Sequence, residues 1–97
     1  MPDRQPRDRL IDRTMAGDAD ALSALFRAHA TQVYHTAYAL TLSADDADDV
    51  VQDVFIGLPE ALKHYSERDA FAAWLRRVAV RTTLMRLRAA DSIPLNL

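Results

Sequence analysis

At 97 residues and 49% hydrophobic, the chain is long enough for one small core and little more. Two glycines, four prolines and no cysteine exclude a disulfide-stapled or thiolate-metal scaffold, and no apolar run approaches the ~18 residues needed to cross a bilayer. The net charge of −2 conceals an asymmetry: residues 1–17 hold four bases and three acids, residues 18–65 two bases and eight acids, and residues 66–97 six bases and three acids. An acidic middle and a basic end suggest two partners, one cationic and one anionic.

Met1 to Arg13 is charged and lacks an apolar stretch, so no signal peptide is expected. Four helical segments follow, and no strand pattern appears, which makes the expected fold all-α. The first runs from about Asp8 to Met15 and stops near Gly17, a residue suited to a helix C-terminus. The second runs from about Asp20 to Leu42, with Leu22, Leu25, Phe26, His29, Val33, Ala37 and Leu40 at helical spacing and a second stripe of Tyr34 and Tyr38.

Ser43 is a good N-cap for the third segment, and Asp46, three residues on, can complete a capping-box-like pair. Ala47, Val50, Val51, Val54, Phe55, Leu58 and Leu62 fall within about 140° of arc. Pro59 lacks an N–H and crowds the carbonyl of Phe55, so a break is expected near Gly57. Residues 64–69 form a polar connection, in which Ser66 or Asp69 can cap the last helix. That helix spans about Ala70 to Ala90, with Phe71, Trp74, Leu75, Val78, Thr82 and Met85 as its apolar stripe. Residues 91–97 read as a tail or linker.

Asp45, Asp46, Asp48, Asp49 and Asp53 place five aspartates in nine residues. The helix dipole accounts for acids in the first turn but not for Asp53, two turns further in. On a helical wheel Asp49, Asp53 and Glu60 lie within about 40° of each other, opposite the apolar face. Gln52 and Ile56 flank that stripe. Acids with an apolar anchor among them suit docking to a cationic partner better than simple solvation. Asp45, Asp46 and Asp49 also match the DDxxD spacing of Mg²⁺-dependent prenyl-transfer enzymes, but 97 residues cannot supply the deep cavity and second acidic cluster that chemistry needs.

In the last helix Arg77, Arg81 and Arg88 fall within about 40°, while Arg76 and Arg86 lie on the other flank of the apolar stripe. With Tyr65, Ser66, Arg68 and Trp74 nearby, this suits a basic surface edged by aromatics: arginines for phosphates, rings for bases. Phe71 and Trp74 lie on the apolar side and are expected mainly in the core. His29, His35 and His64 have no metal-ligand spacing, and neither a phosphate-binding glycine loop nor a nucleophile elbow is present. No metal, cofactor or catalytic residue is expected.

The run Asp46-Ala47-Asp48-Asp49-Val50-Val51-Gln52-Asp53-Val54-Phe55 resembles the D-A-E-D-L-V-Q-E-V-F signature of sigma factors. Phe71-Ala72-Ala73-Trp74-Leu75-Arg76-Arg77-Val78-Ala79 resembles the F-x-x-W-L-x-R-I-A signature of the same domain. Leu10-Ile11, Ala16-Gly17-Asp18, Ala24-Leu25-Phe26 and Val33-Tyr34 resemble the opening helices of extracytoplasmic-function sigma factors. The resemblance covers about residues 9–90 and implies a three-to-four-helix region 2 domain over residues 1–90.

It further implies a cytoplasmic, non-enzymatic transcription initiation factor without a membrane partner. Asp46, Asp49, Gln52, Asp53 and Ile56 would meet the beta-prime clamp coiled coil of core RNA polymerase. Tyr65, Ser66, Arg68, Phe71 and Trp74 would form the loop and base pocket for the minus-ten non-template strand, with Arg76, Arg77 and Arg81 on the DNA face. An anti-sigma factor is a further partner class. Arg81 stands where many relatives have asparagine, Met85 where many have aspartate, and Leu58-Pro59 replaces a more usual Ala-Trp pair. The family's helix-turn-helix domain should follow Leu97 and does not: either this is an excised domain or the protein lacks it, and residues 91–97, which resemble the start of an interdomain linker, favour excision. The alternative is a sigma-like protein-binding module without DNA recognition.

Overall fold

The computed structural model describes residues 6–66 and 70–92. Among them are five α-helices and one 3-10 turn: α1 (Pro6–Met15), α2 (Ala19–Thr41), α3 (Ala44–Ile56), α4 (Leu58–Ala61), the turn Leu62–His64, and α5 (Phe71–Ser92). No strand occurs among the described residues. The all-α expectation holds, with the third segment divided in two.

Local chemistry sets the boundaries. Gly17 takes φ +98 after α1, a conformation that a Cβ would strain. Asp18 then caps α2, accepting from the backbone N–H groups of Asp20 (2.9 Å) and Ala21 (3.2 Å), while its other oxygen takes Arg13 Nε at 2.8 Å. Arg13 leads the donors that hold the Asp18 carboxyl below its ordinary value, followed by the Ala21 N–H.

Between α2 and α3 the chain departs from the expected capping box. Ser43 Oγ does accept from the Asp46 N–H at 3.1 Å. The Ser43 N–H, however, donates to Thr41 Oγ1 at 3.2 Å, so the reciprocal half of the pair comes from the preceding helix rather than from Asp46. Leu42, expected to be helical, ends α2 in the left-handed region at φ 54, its N–H bonded to the Tyr38 carbonyl at 2.8 Å.

The break at Pro59 falls where expected. The α3 helix stops at Ile56, Gly57 intervenes, and Pro59 sits in the first turn of α4, where a missing N–H costs no helical bond. Leu58 and Leu62 are thereby turned into the core. At α5 the Trp74 N–H donates to the Ala70 carbonyl at 3.0 Å, which makes Ala70 the flanking residue; Asp69, an expected cap, lies outside the described residues. Helix α5 runs to Ser92, two residues past its expected end.

Helix α2 is central and touches α1, α3 and α5. Its Leu25, Val33 and Ala37 meet Val50, Val54 and Phe55 of α3 and Phe71, Leu75 and Ala79 of α5 in one buried cluster, with Ile11 of α1 at its edge. Each large apolar side chain so buried contributes about 1.5–3 kcal/mol. Four residues of the expected stripes are instead exposed: Phe26, Tyr38 and Leu40 on α2, and Met85 on α5. The reason on α5 is that its buried line drifts around the helix. It begins at Phe71 and Trp74 and continues through Ala79 and Thr83, which leaves Met85 outside. Thr83 satisfies its buried hydroxyl by donating to the Ala79 carbonyl at 2.7 Å.

Candidate functional site

Two surfaces emerge from this arrangement, one on α3 and one on α5. The first is built on α3. Burial of Ala47, Val50, Val51, Val54 and Phe55 forces the intervening Asp48, Asp49, Gln52 and Asp53 outward, and all four are exposed; Asp46 is half-buried beside the cap. Ile56 is 77% exposed at the end of the same helix. Glu60, expected on this stripe, is exposed but pairs with Lys63 at 3.1 Å.

Ile56 does not stand alone. With Gln52 and Phe55 it faces Leu22, Ser23 and Phe26 of α2 across a shallow apolar groove of about 310 Å³. Phe26 packs edge-on against Phe55, their centroids 5.1 Å apart, yet keeps much of its ring in solvent. The groove escaped sequence reading because Leu22 and Phe26 belong to the apolar stripe of α2, whose width does not reveal which edge is covered.

A second feature also escaped it. Arg86 of α5 reaches across to α3, placing Nη2 3.1 Å from Asp49 Oδ2 and Nη1 3.2 Å from Asp53 Oδ2. The signal was present in the wheel: at 100° per residue Arg86 lies inside the arc of Phe71, Leu75, Ala79 and Thr83, so it continues the core-facing line.

The second surface begins where the 3-10 turn ends. Tyr65 is half-buried and packs edge-on against Phe71 (5.7 Å between centroids) and Trp74 (5.2 Å), while His29 of α2 also meets Phe71 edge-on at 5.0 Å. Phe71 and Trp74 are buried, as the apolar side of the wheel required. Their part is thus to anchor the connection against α5. Ser66 is exposed next to this cluster, and Arg68 lies outside the described residues.

Arg76, Arg77 and Arg81 are exposed on α5. Together with Arg88 they line a trough of about 620 Å³ whose apolar lining is Val80, Leu84 and Met85. Arg76 and Arg77 also border a hollow shared with Gln32, Ala70, Ala72 and Ala73, so the basic face continues toward the start of α5. Cations beside apolar side chains can neutralise phosphates and give base or sugar faces something to lie on. The structure thus brings Asp46, Asp49, Gln52, Asp53 and Ile56 onto one surface and Arg76, Arg77 and Arg81 onto another. Tyr65 and Ser66 stand at the head of the second.

Among the described residues no three carboxylate, imidazole or thiol groups converge as metal ligands would, the DDxxD aspartates included. No helix among them is long and apolar enough to cross a membrane.

A profile of the Sigma-70 region 2 family matches residues 25–93. The chain is 33% identical over 85 residues to the ECF RNA polymerase sigma factor SigM of Mycobacterium tuberculosis, covering 88% of this chain and 43% of that protein. It is 34% identical over 89 residues to the ECF RNA polymerase sigma-E factor of Haemophilus influenzae, covering 90% of this chain and 46% of the relative. The chain therefore spans less than half the length of these curated relatives. In structure it is similar to an engineered region 2 of sigmaE solved in complex with GTAAAA, at a TM-score of 0.79 and 29% identity over the whole of both chains.

Proposed function

The chain belongs to the Sigma-70 region 2 family, with extracytoplasmic-function sigma factors as relatives, and from that premise we propose that it serves transcription initiation by holding core RNA polymerase on one face and the minus-ten non-template strand on the other. Asp46, Asp49, Gln52, Asp53 and Ile56 take the beta-prime clamp coiled coil, with acids for its cations and the Ile56 groove for its apolar side chains. Tyr65, Ser66, Arg68, Phe71 and Trp74 form the loop and pocket area, and Arg76, Arg77 and Arg81 follow the phosphates. The observation that carries this reading is the separation of the two faces: Arg77, Arg81 and Arg88 lie about 160° around α5 from Arg86, the residue that reaches α3.

The family is non-enzymatic, and strand opening here needs no catalytic group. Capturing unstacked bases offsets a cost of a few kcal/mol per base. The same fold, in its sigmaE neighbour, was solved with the strand GTAAAA, which supports the DNA reading over a purely protein-binding module. The setting is the cytoplasm, and an anti-sigma factor is a further partner class for the docking faces.

Titration with single-stranded oligonucleotides, with and without core polymerase, tests the DNA assignment. Arg77→Ala with Arg81→Ala is expected to weaken binding to every strand alike and to flatten its salt dependence, because fewer counterions are released. Ser66→Ala is expected to narrow the gap between a minus-ten-like strand and a scrambled one. An unchanged salt slope in both settings would leave the arginine face as solvated surface and favour the protein-binding alternative.

A further inference from the structure

The acidic face is not presented bare. Asp49 and Asp53 lie one turn apart on α3, and one guanidinium, that of Arg86, bridges the Oδ2 atom of each. The arginine arrives from α5, 37 and 33 residues away in the chain, so the pairing depends on the tertiary fold rather than on α3 itself. It is open to exchange: the Arg86 side chain is 37% exposed, and the two aspartates are 55% and 49% exposed. A partner cation that reaches either carboxylate meets a positive charge already seated there.

We propose that Arg86 is an internal counter-ion of the docking face, one that holds down the affinity of Asp49 and Asp53 for the cationic polymerase surface until it is displaced or outcompeted. This rests on the assignment of α3 to polymerase. The physical argument is one of charge. The Arg86, Asp49 and Asp53 triad carries a net charge of −1, and without the arginine the same two acids present −2 to a partner. The three groups remain partly hydrated, so the bridge is exchangeable rather than a buried lock, and an exposed bridge of this kind is weak. Arg86 also lies on the side of α5 opposite the Arg77, Arg81 and Arg88 line, so its replacement leaves the basic trough untouched.

A thermodynamic cycle on the full chain with core RNA polymerase tests this. Arg86→Met keeps much of the aliphatic stem and removes the charge; Arg86→Gln is the second variant should exposed methionine impair folding. Either is expected to bind core polymerase about threefold more tightly at low salt, with a steeper salt dependence. In an Asp49→Asn, Asp53→Asn background the same replacement is expected to change nothing, because the carboxylates that Arg86 masks are gone. Unchanged or weaker binding of Arg86→Met and Arg86→Gln overturns the proposal. Equal tightening in the neutralised background overturns it too, since that would be a generic effect of net charge. If the Asp49→Asn, Asp53→Asn protein itself binds polymerase as the native chain does, the assignment of α3 to polymerase fails and the counter-ion role falls with it; only that result sinks both.

Discussion

Gln32 Nε2 donates to the carbonyl of Ala72 at 2.9 Å, a bond that joins the middle of α2 to the first turn of α5 across forty residues of chain. It fixes where α5 begins, and so where Tyr65, Ser66 and the first arginines stand relative to the core. Gln32→Ala is expected to cost about 1 kcal/mol of stability, the net worth of one such bond. It should also blunt the preference for a minus-ten-like strand while leaving the salt slope intact, because the phosphate contacts are not its own. Urea denaturation and strand titrations at several salt concentrations measure the two effects separately. A preference as sharp as that of the native chain would remove Gln32 from the positioning of the loop.

Leu42 ends α2 at φ 54 with its side chain 76% exposed. A left-handed conformation costs an L-residue with a Cβ roughly 1–2 kcal/mol, and an exposed leucine returns little of that by packing. Leu42→Gly is therefore expected to stabilise the fold by about 0.5–1 kcal/mol, the lower figure reflecting the greater freedom glycine has in the unfolded chain. The midpoint of urea denaturation reads this directly. A drop in the midpoint would mean that the leucine side chain holds something the local geometry does not reveal.

Both residues mark where reading from sequence stops. Periodicity, caps and punctuation are local, and they located the α3 apolar stripe, the buried part of the α2 stripe, the Ser43 cap and the break at Gly57. Nothing local distinguishes Leu42 from another helical leucine, because the signal for a left-handed end is glycine or asparagine and neither is there. The acidic face was legible because the buried Val50, Val51, Val54 and Phe55 leave Asp49, Gln52 and Asp53 only one direction to point. Its neighbours were not: Phe26 joins the groove through the packing of α2 on α3, and Arg86 reaches Asp49 and Asp53 only after α5 has folded back.

Asp18 gives the fold a defined acid sensitivity at the start of α2. Its carboxyl is held below the ordinary 3.8 by Arg13 first and by the Ala21 N–H next. A group whose pKa is lowered by folding contributes stability above its unfolded value and loses that contribution as pH falls through its folded value. Asp18→Asn keeps a capping oxygen but not the charge. The native chain should therefore melt above the variant at pH 6, and the gap should close as pH falls below 3.8. Thermal melts from pH 6 to pH 2 follow the gap; a difference that stays constant across the range would assign it to shape rather than to charge.

If the exposed acids of α3 hold core RNA polymerase, reversing their charge must break that contact. Asp49→Arg with Asp53→Arg places two cations where the partner's cations would sit, on a surface that contributes nothing to the buried core. Helix content by circular dichroism should be little changed. Affinity for core RNA polymerase, measured by fluorescence titration, should fall at least about tenfold, the effect of some 1.4 kcal/mol. A doubly reversed chain that keeps its helices and binds core polymerase as tightly as the native one would contradict the account.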